Sequence, residues 1–263
     1  MGFVGRTVFW VWDYYPPFHT NRIVQFMRSL YWLFDKPASL ESDRVVFLNK
    51  RLKELRQEMG ILPTDESYPV VAIGTDPTPP KSLHELSNSL HIVFLGVLKK
   101  IQGLDLFFDA AKKLSLSHPD LTLHVIGGGP DEMYFKKREK TCPLIVKFHG
   151  YVQDEKEVDA IIAKCHIGIA PYIPDKSNVM FYSDPSKIKR YLNFGLPVIT
   201  TDVFEFSRQI GASHAGEIIS YDVDSFVKAF KKISDSYAGY AIGSTKLAKN
   251  FSYKILYANL FDF

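Results

Sequence analysis

The sequence predicts an α/β fold built on a doubly wound parallel sheet, and three observations predict it. From residue 91 onward, short apolar runs alternate with amphipathic stretches of about 10–15 residues, the rhythm of βαβ units. The apolar runs are near-continuous, as strands covered by helices on both faces must be. Glycines fall where strand hands over to helix, as in "VIGGGP" and "FLGVLKK".

The elements justify this in order. "RTVFWVWDYYPP" reads as a strand entering a proline-rich turn, residues 21–34 as a helix and residues 43–50 as a strand. Residues 51–59 read as a helix stopped by Gly60, and residues 68–77 as another strand. "PTPPKSLHELSNS" (77–89) has the proline and serine content of a linker. Beyond it, strands are expected at 91–96, 121–129, 145–150, 167–172, 197–201 and 217–220. Helices are expected at 104–114, from about Asp131, and at 155–165, 185–194, 204–210 and 224–233. This divides the chain into a partial N-terminal α/β domain (1–82), a ligand-binding α/β domain (90–245) and a C-terminal helix (246–263). Three strands without a partner half make a poor independent domain, so an N-terminal portion is expected to be missing.

Apolar residues make up 46% of the 263 and charged residues 23%, enough for a sizeable core. The net charge of +3 suits phosphate ligands or an anionic membrane surface. Lys and Arg are spread over many elements without an aromatic-interleaved stripe, which argues against nucleic acid. The two cysteines, Cys142 and Cys165, have no metal-type spacing and fit a reducing compartment. The N-terminal apolar run is short and interrupted by Arg6, unlike a signal peptide, and no window reaches the ~18 apolar residues of a membrane span. A cytoplasmic protein is expected.

"SDPSKIKRYLNFGLPVITTD" (183–202) carries the most chemistry. Ser183 or Asp184 suits the N-cap, Pro185 the first helical position and Gly195 the C-terminal stop. Ile188, Tyr191 and Leu192 form the buried stripe at i, i+3, i+4. Lys187 and Arg190 remain, two cations near the end of a helix whose dipole disfavours them. A solvated face explains them, and so does a bound anion. Gly127, Gly128 and Gly129 close a strand before a helix, where backbone can approach an anion, though a tight turn explains them as readily. Lys99 and Lys100 occupy the turn after Gly96, at the edge where such sheets bind ligands. Asp222-x-Asp224 has a metal-binding look, but a helix cap accounts for it. Cys165-His166 reads as a buried helix end. Residues 21–34 carry Arg22 and Arg28 beside Phe26, Trp32 and Phe34, so this helix can lie on an anionic membrane or serve as a core helix.

Taken in order, "QGLD", "HVIGGGP", "KFHGYV", "IGIAPY" and the 183–202 stretch resemble the retaining GT-B glycosyltransferases of family four, also called glycosyl transferases group 1. The resemblance spans residues 91–235, with a weaker one in "VFWVWDYYPP", "ESDRVVFLNK" and "VVAIGTD". It implies a GT-B fold with a Rossmann-like C-terminal donor domain and an incomplete Rossmann-like N-terminal domain. It implies transfer of a sugar, with retention, from a nucleotide-diphosphate-sugar co-substrate to a glycan or lipid-linked acceptor, in polysaccharide or glycoconjugate synthesis. No metal cofactor is implied, and peripheral contact with the inner face of a membrane is. Asp13 would face the reacting sugar. Gly96, Lys99, Lys100, Gly127, Gly128, Gly129, Tyr172, Tyr182, Ser183, Asp184, Ser186, Lys187 and Arg190 would line the donor site.

The departures matter. Val97 and Gln102 stand where that family carries diphosphate-binding cations, so Lys99 or Lys100 would have to substitute. The family's paired glutamates fall on Tyr182 and Arg190, and a guanidinium cannot accept a hydrogen bond from a ribose hydroxyl. The alternative is a truncated or degenerate domain that binds nucleotide or a partner without turnover. A sugar-nucleotide epimerase fits the glycine order and the basic helix less well.

Overall fold

β1 (Val8–Val11) and β2 (Arg44–Phe47) pair in parallel, joined by α1 (Arg22–Glu41) and followed by α2 (Lys50–Glu58). The computed structural model describes residues 5–64, 68–76, 89–175, 178–258 and 260. The expected linker lies, from residue 77 to 88, outside the described residues. The next elements are β3 (His91–Leu95), a 3-10 turn at Lys100–Gln102, α3 (Asp105–Ser117), β4 (Thr122–Ile126), α4 (Glu132–Glu139), β5 (Ile145–Gly150), α5 (Glu155–Ile162) and β6 (Ile167–Ala170). Then come a 3-10 turn at Val179–Tyr182, α6 (Ser186–Asn193), β7 (Val198–Thr201), α7 (Ser207–Ala212), β8 (Gly216–Ile219), α8 (Val223–Asp235), α9 (Tyr237–Lys249) and α10 (Tyr253–Leu256).

β3 to β8 form a six-stranded parallel sheet in the order β5-β4-β3-β6-β7-β8. This is the order of dinucleotide-binding sheets, whose ligand crevice opens where it reverses, here between β3 and β6. Side chains alternate across the strands, so each face has its own core. Ile92, Phe94, Leu123, Val125 and Ile169 pack under α3 and α8. Val93, Ile126, Ala170 and Val198 pack under α5, α6 and α7. The expected doubly wound architecture is therefore present, and Asp222 caps α8 by accepting from the Ser225 N–H.

Three expected elements differ. Residues 68–77 form no strand; they make only isolated bridges, Val70 with Phe47 and Thr75 with Ser252. Side chains of α6, and Asp184 just before it, satisfy much of this backbone instead. Asp184 accepts from the Ile73 N–H at 2.6 Å, Lys189 Nζ donates to the Ile73 carbonyl at 2.7 Å, and Asn193 Nδ2 donates to Thr75 Oγ1 and the Asp76 carbonyl.

The helix expected at 21–34 runs on through Pro37 to Glu41. Its buried side carries Asp35 and Ser39, on either side of Pro37, and both are bonded to the buried Arg56 of α2. The C-terminal helix expected at 246–263 is displaced. α9 begins at Tyr237 and buries Tyr240, Ala241, Ser244, Leu247 and Ala248, and a single turn, α10, follows. Among the described residues no helix is long and apolar enough to cross a membrane.

Candidate functional site: the cleft at the β3–β6 switch point

Gly96 follows β3 and Tyr172 follows β6, so these two flank the crevice, and α6 begins beside them. A cavity of about 350 Å3 is lined by Trp12, Asp13, Gly96, Gln102, Tyr172, Ser183, Asp184, Ser186 and Lys187. A second, of about 670 Å3, shares Gly96, Ser186 and Lys187 and extends past Glu155, Asp159, Arg190, Asn193 and Tyr253. A third, of about 300 Å3, runs past Gly127, Gly128, Tyr151, Val152, Gln153 and Glu155. Gly96 borders all three.

Lys187 is the cation at the centre. Its Nζ donates to Gln102 Oε1 at 2.9 Å and lies 4.8 Å from the ring centroid of Phe94 and 5.3 Å from that of Tyr172. Burial pushes its ammonium down to about 7, from an ordinary 10.5. Gly96 makes room for it: with φ +141, a Cβ there would lie 2.5 Å from Lys187 Nζ. The Tyr172 side chain is fully buried, and its hydroxyl has no partner among the described residues. Burial holds its pKa far above the ordinary tyrosine value.

The N-cap of α6 is Pro185, without a side-chain cap, so neither Ser183 nor Asp184 plays the part expected of it. Ser183 Oγ donates to the Val179 carbonyl. Asp184 reaches the cavity wall, but its carboxylate is engaged with the Ile73 N–H and, at 2.5 Å, with Lys189 Nζ. It is a structural clamp, formed because a buried charge needs a charged partner. The other end of α6 matches expectation. Gly195 N–H donates to the Leu192 carbonyl and Leu196 N–H to that of Tyr191, a Schellman closure.

Other expected contacts are redirected. Arg190 is bound to α5: Nε and Nη2 donate to Asp159 Oδ1 at 2.8 and 2.6 Å, Nη1 pairs with Glu155, and Nη2 also reaches the Glu155 carbonyl. Its charge is thus already neutralised by these two carboxylates. Lys100 turns its ammonium onto the Tyr134 ring, 4.0 Å from the centroid, and Lys99 is exposed; neither lines the three cavities. Tyr182 packs edge-on against Tyr14 and lines none of the three cavities, and its carbonyl accepts from Asn49.

The glycine triplet serves the turn first. A Cβ on Gly127 would lie 2.1 Å from the Gly96 carbonyl oxygen, and one on Gly129 2.6 Å from that of Leu98, so the two βα turns meet backbone to backbone. Gly127 and Gly128 nevertheless border the third cavity.

Sequence reasoning missed several lining residues. Trp12 precedes Asp13 and could have been read with it. Glu155 and Asp159 lie at i, i+4 in the first turns of α5, a legible acidic pair. Gln102 stands where a cation was sought. Asn193 and Tyr253 leave no local signal, because long-range packing brings them to the cleft.

Solved structures share this architecture. The pneumococcal O-GlcNAc transferase GtfA, in complex with UDP and GlcNAc, is 16% identical with a TM-score of 0.64; the match covers 88% of this chain and 46% of GtfA. WaaG, a glycosyltransferase of lipopolysaccharide biosynthesis, is 13% identical with a TM-score of 0.60, covering 94% of this chain and 85% of WaaG. Sucrose-phosphate synthase from Thermosynechococcus elongatus is 13% identical with a TM-score of 0.68, covering 92% and 62%. The chain thus spans less than half the length of GtfA. At these identities the likeness concerns the fold, which is of the GT-B type. No curated protein sequence matches the chain. Residues 89–236, more than half of the chain, match the family described as Glycosyl transferases group 1, and the chain belongs to that family.

Proposed function

We propose that the chain is the donor-binding part of a retaining glycosyltransferase. It moves a sugar from a nucleotide-diphosphate-sugar to a hydroxyl of a glycan or lipid-linked acceptor. The observation that carries this reading is Lys187, a half-buried lysine at the switch-point crevice with no carboxylate partner among the described residues. A diphosphate placed against it gains a charge-assisted contact, and the first N–H groups of α6 face the same space. The leaving diphosphate is neutralised by these groups and by the Tyr172 hydroxyl, without a metal. Asp13 faces the sugar from across the smaller cavity and stabilises positive charge developing at the anomeric carbon.

The exposed apolar side of α1, with Phe26, Met27, Leu33 and Phe34 beside the exposed Arg22, supports peripheral contact with an anionic membrane. A domain that binds nucleotide without turnover is the second reading, favoured by the engagement of Arg190 with α5.

Calorimetry with UDP, ADP and GDP tests the donor site. Lys187→Ala should weaken binding about tenfold or more, the cost of one charged hydrogen bond. Unchanged affinity would remove Lys187 from the site. Transfer and hydrolysis assays with sugar nucleotides separate the two readings, since turnover excludes the second.

A further inference from the structure

Gln102 does more than fill the place of a cation. Its Oε1 is the hydrogen-bond acceptor of Lys187 Nζ, at 2.9 Å, and it lines the cavity into which that nitrogen faces. The nitrogen is walled by Phe94, Tyr172 and the Gly96 turn, none of which carries a compensating charge. Beside it the buried Tyr172 hydroxyl lacks a partner among the described residues, a second sign that a ligand completes this cavity. We propose that Gln102 is the positioning residue for Lys187, and that a nucleoside diphosphate binds here with uptake of one proton by the Lys187 nitrogen.

The proposal rests on the donor-site reading above. Burial is the single cause that brings Lys187 down to about 7, so near neutral pH part of the population holds it as the amine. As the anion arrives, the amine lone pair bonds a proton released by the buffer acid, whose own bond to that proton breaks to leave its conjugate base. The neutral Gln102 amide suits both states: it accepts from the amine and from the ammonium, whereas a carboxylate there would hold the ammonium permanently.

Other charged and titratable groups face this space from each neighbouring element, among them Asp76 of the 73–76 segment and Tyr253 of α10, both exposed at the larger cavity. On α6 and just before it, Asp184 is held by Lys189 and the Ile73 N–H. On α5, Glu155 and Asp159 are held by Arg190. Tyr172 after β6 stays protonated, and Asp13 in the N-terminal segment stands exposed on the cavity wall. The affinity should accordingly fall as pH rises above about 7, by up to about tenfold per pH unit.

The experiment is titration calorimetry of the purified chain with UDP, ADP and GDP at pH 7.5, in buffers of low and high ionisation heat. The difference between buffers counts the protons taken up. For a nucleotide that binds, the wild type should take up roughly 0.5–0.8 proton. Gln102→Glu, nearly isosteric, should bring uptake close to zero by fixing the ammonium. Lys187→Arg should also bring it close to zero while binding persists.

Binding without proton uptake in the wild type would overturn the proposal and leave the donor site standing. Wild-type uptake in Gln102→Glu would remove Gln102 from its role. Failure of all three nucleotides to bind the wild type would overturn the donor-site reading and this proposal together.

Discussion

Lys187 and Arg190 lie one turn apart on α6 and meet different fates. The difference comes from which element each one faces. Arg190 points at the first turns of α5, where Glu155 and Asp159 take its guanidinium; Lys187 points at the β3 turn, where an amide and two rings receive it and no carboxylate does among the described residues. A surface pair such as Arg190–Glu155 contributes little to stability, whereas a half-buried unpaired amine keeps its affinity for an anion. Gly127 sets the same site from below. Gly127→Ala should lower stability by about 1–3 kcal/mol, because φ is +126 and the new Cβ meets the Gly96 carbonyl. It should also weaken nucleotide binding by moving the Gly96 turn. Urea unfolding and calorimetry on the same sample check both, and a neutral substitution would show that the turns are free to part.

Elements were legible where a local rule sufficed. The stripe Ile188, Tyr191 and Leu192 is fully buried, as its spacing demands. α9 was missed because Gly239 and Gly243 dilute its pattern, although Gly243 is where the helix crosses the His214 carbonyl.

β3, β4 and β5 also share a chain of imidazoles. His91 Nδ1 and His124 Nε2 lie 2.9 Å apart, and His124 Nδ1 and His149 Nε2 3.0 Å apart. Each contact needs one proton, and neutral rings satisfy the chain. Burial, reinforced by His91 and His149, pushes His124 down to about 4. An unfolded chain holds its histidines near 6.5, so the unfolded state binds the proton first as pH falls. Stability is therefore full above about 6.5 and declines towards pH 4, by about 3 kcal/mol for His124 alone. Chemical denaturation from pH 7.5 to 4.5 measures this, and His124→Gln should flatten the profile. A wild-type profile that is level over that range would contradict it.

At the scale of the molecule, the segment at 73–76 straps the β1–β2 unit to the six-stranded sheet. Lys189 and Asp184 hold Ile73 at both backbone groups, Asn193 holds Thr75 and Asp76, and the Tyr257 hydroxyl accepts from the Gly74 N–H. Lys189→Met should leave the buried Asp184 carboxylate without its cation and the Ile73 carbonyl without its side-chain donor, at a cost of about 3 kcal/mol or more. The β1–β2 unit should then melt before the sheet. Two calorimetric transitions in place of one are expected, and a single unshifted transition would show that the strap does not couple the units.

The sequence by itself determined the doubly wound sheet, the glycine turns at its ligand edge and the buried stripe of α6. Each depends on period, propensity or backbone freedom within a few neighbouring residues. Only the tertiary structure decided what the charged residues do. Arg190 meets partners 31 and 35 positions away, Lys187 one 85 away and Lys189 a carbonyl 116 away. A side chain's charge is local to the sequence, but its solvation and its partners belong to the packed molecule.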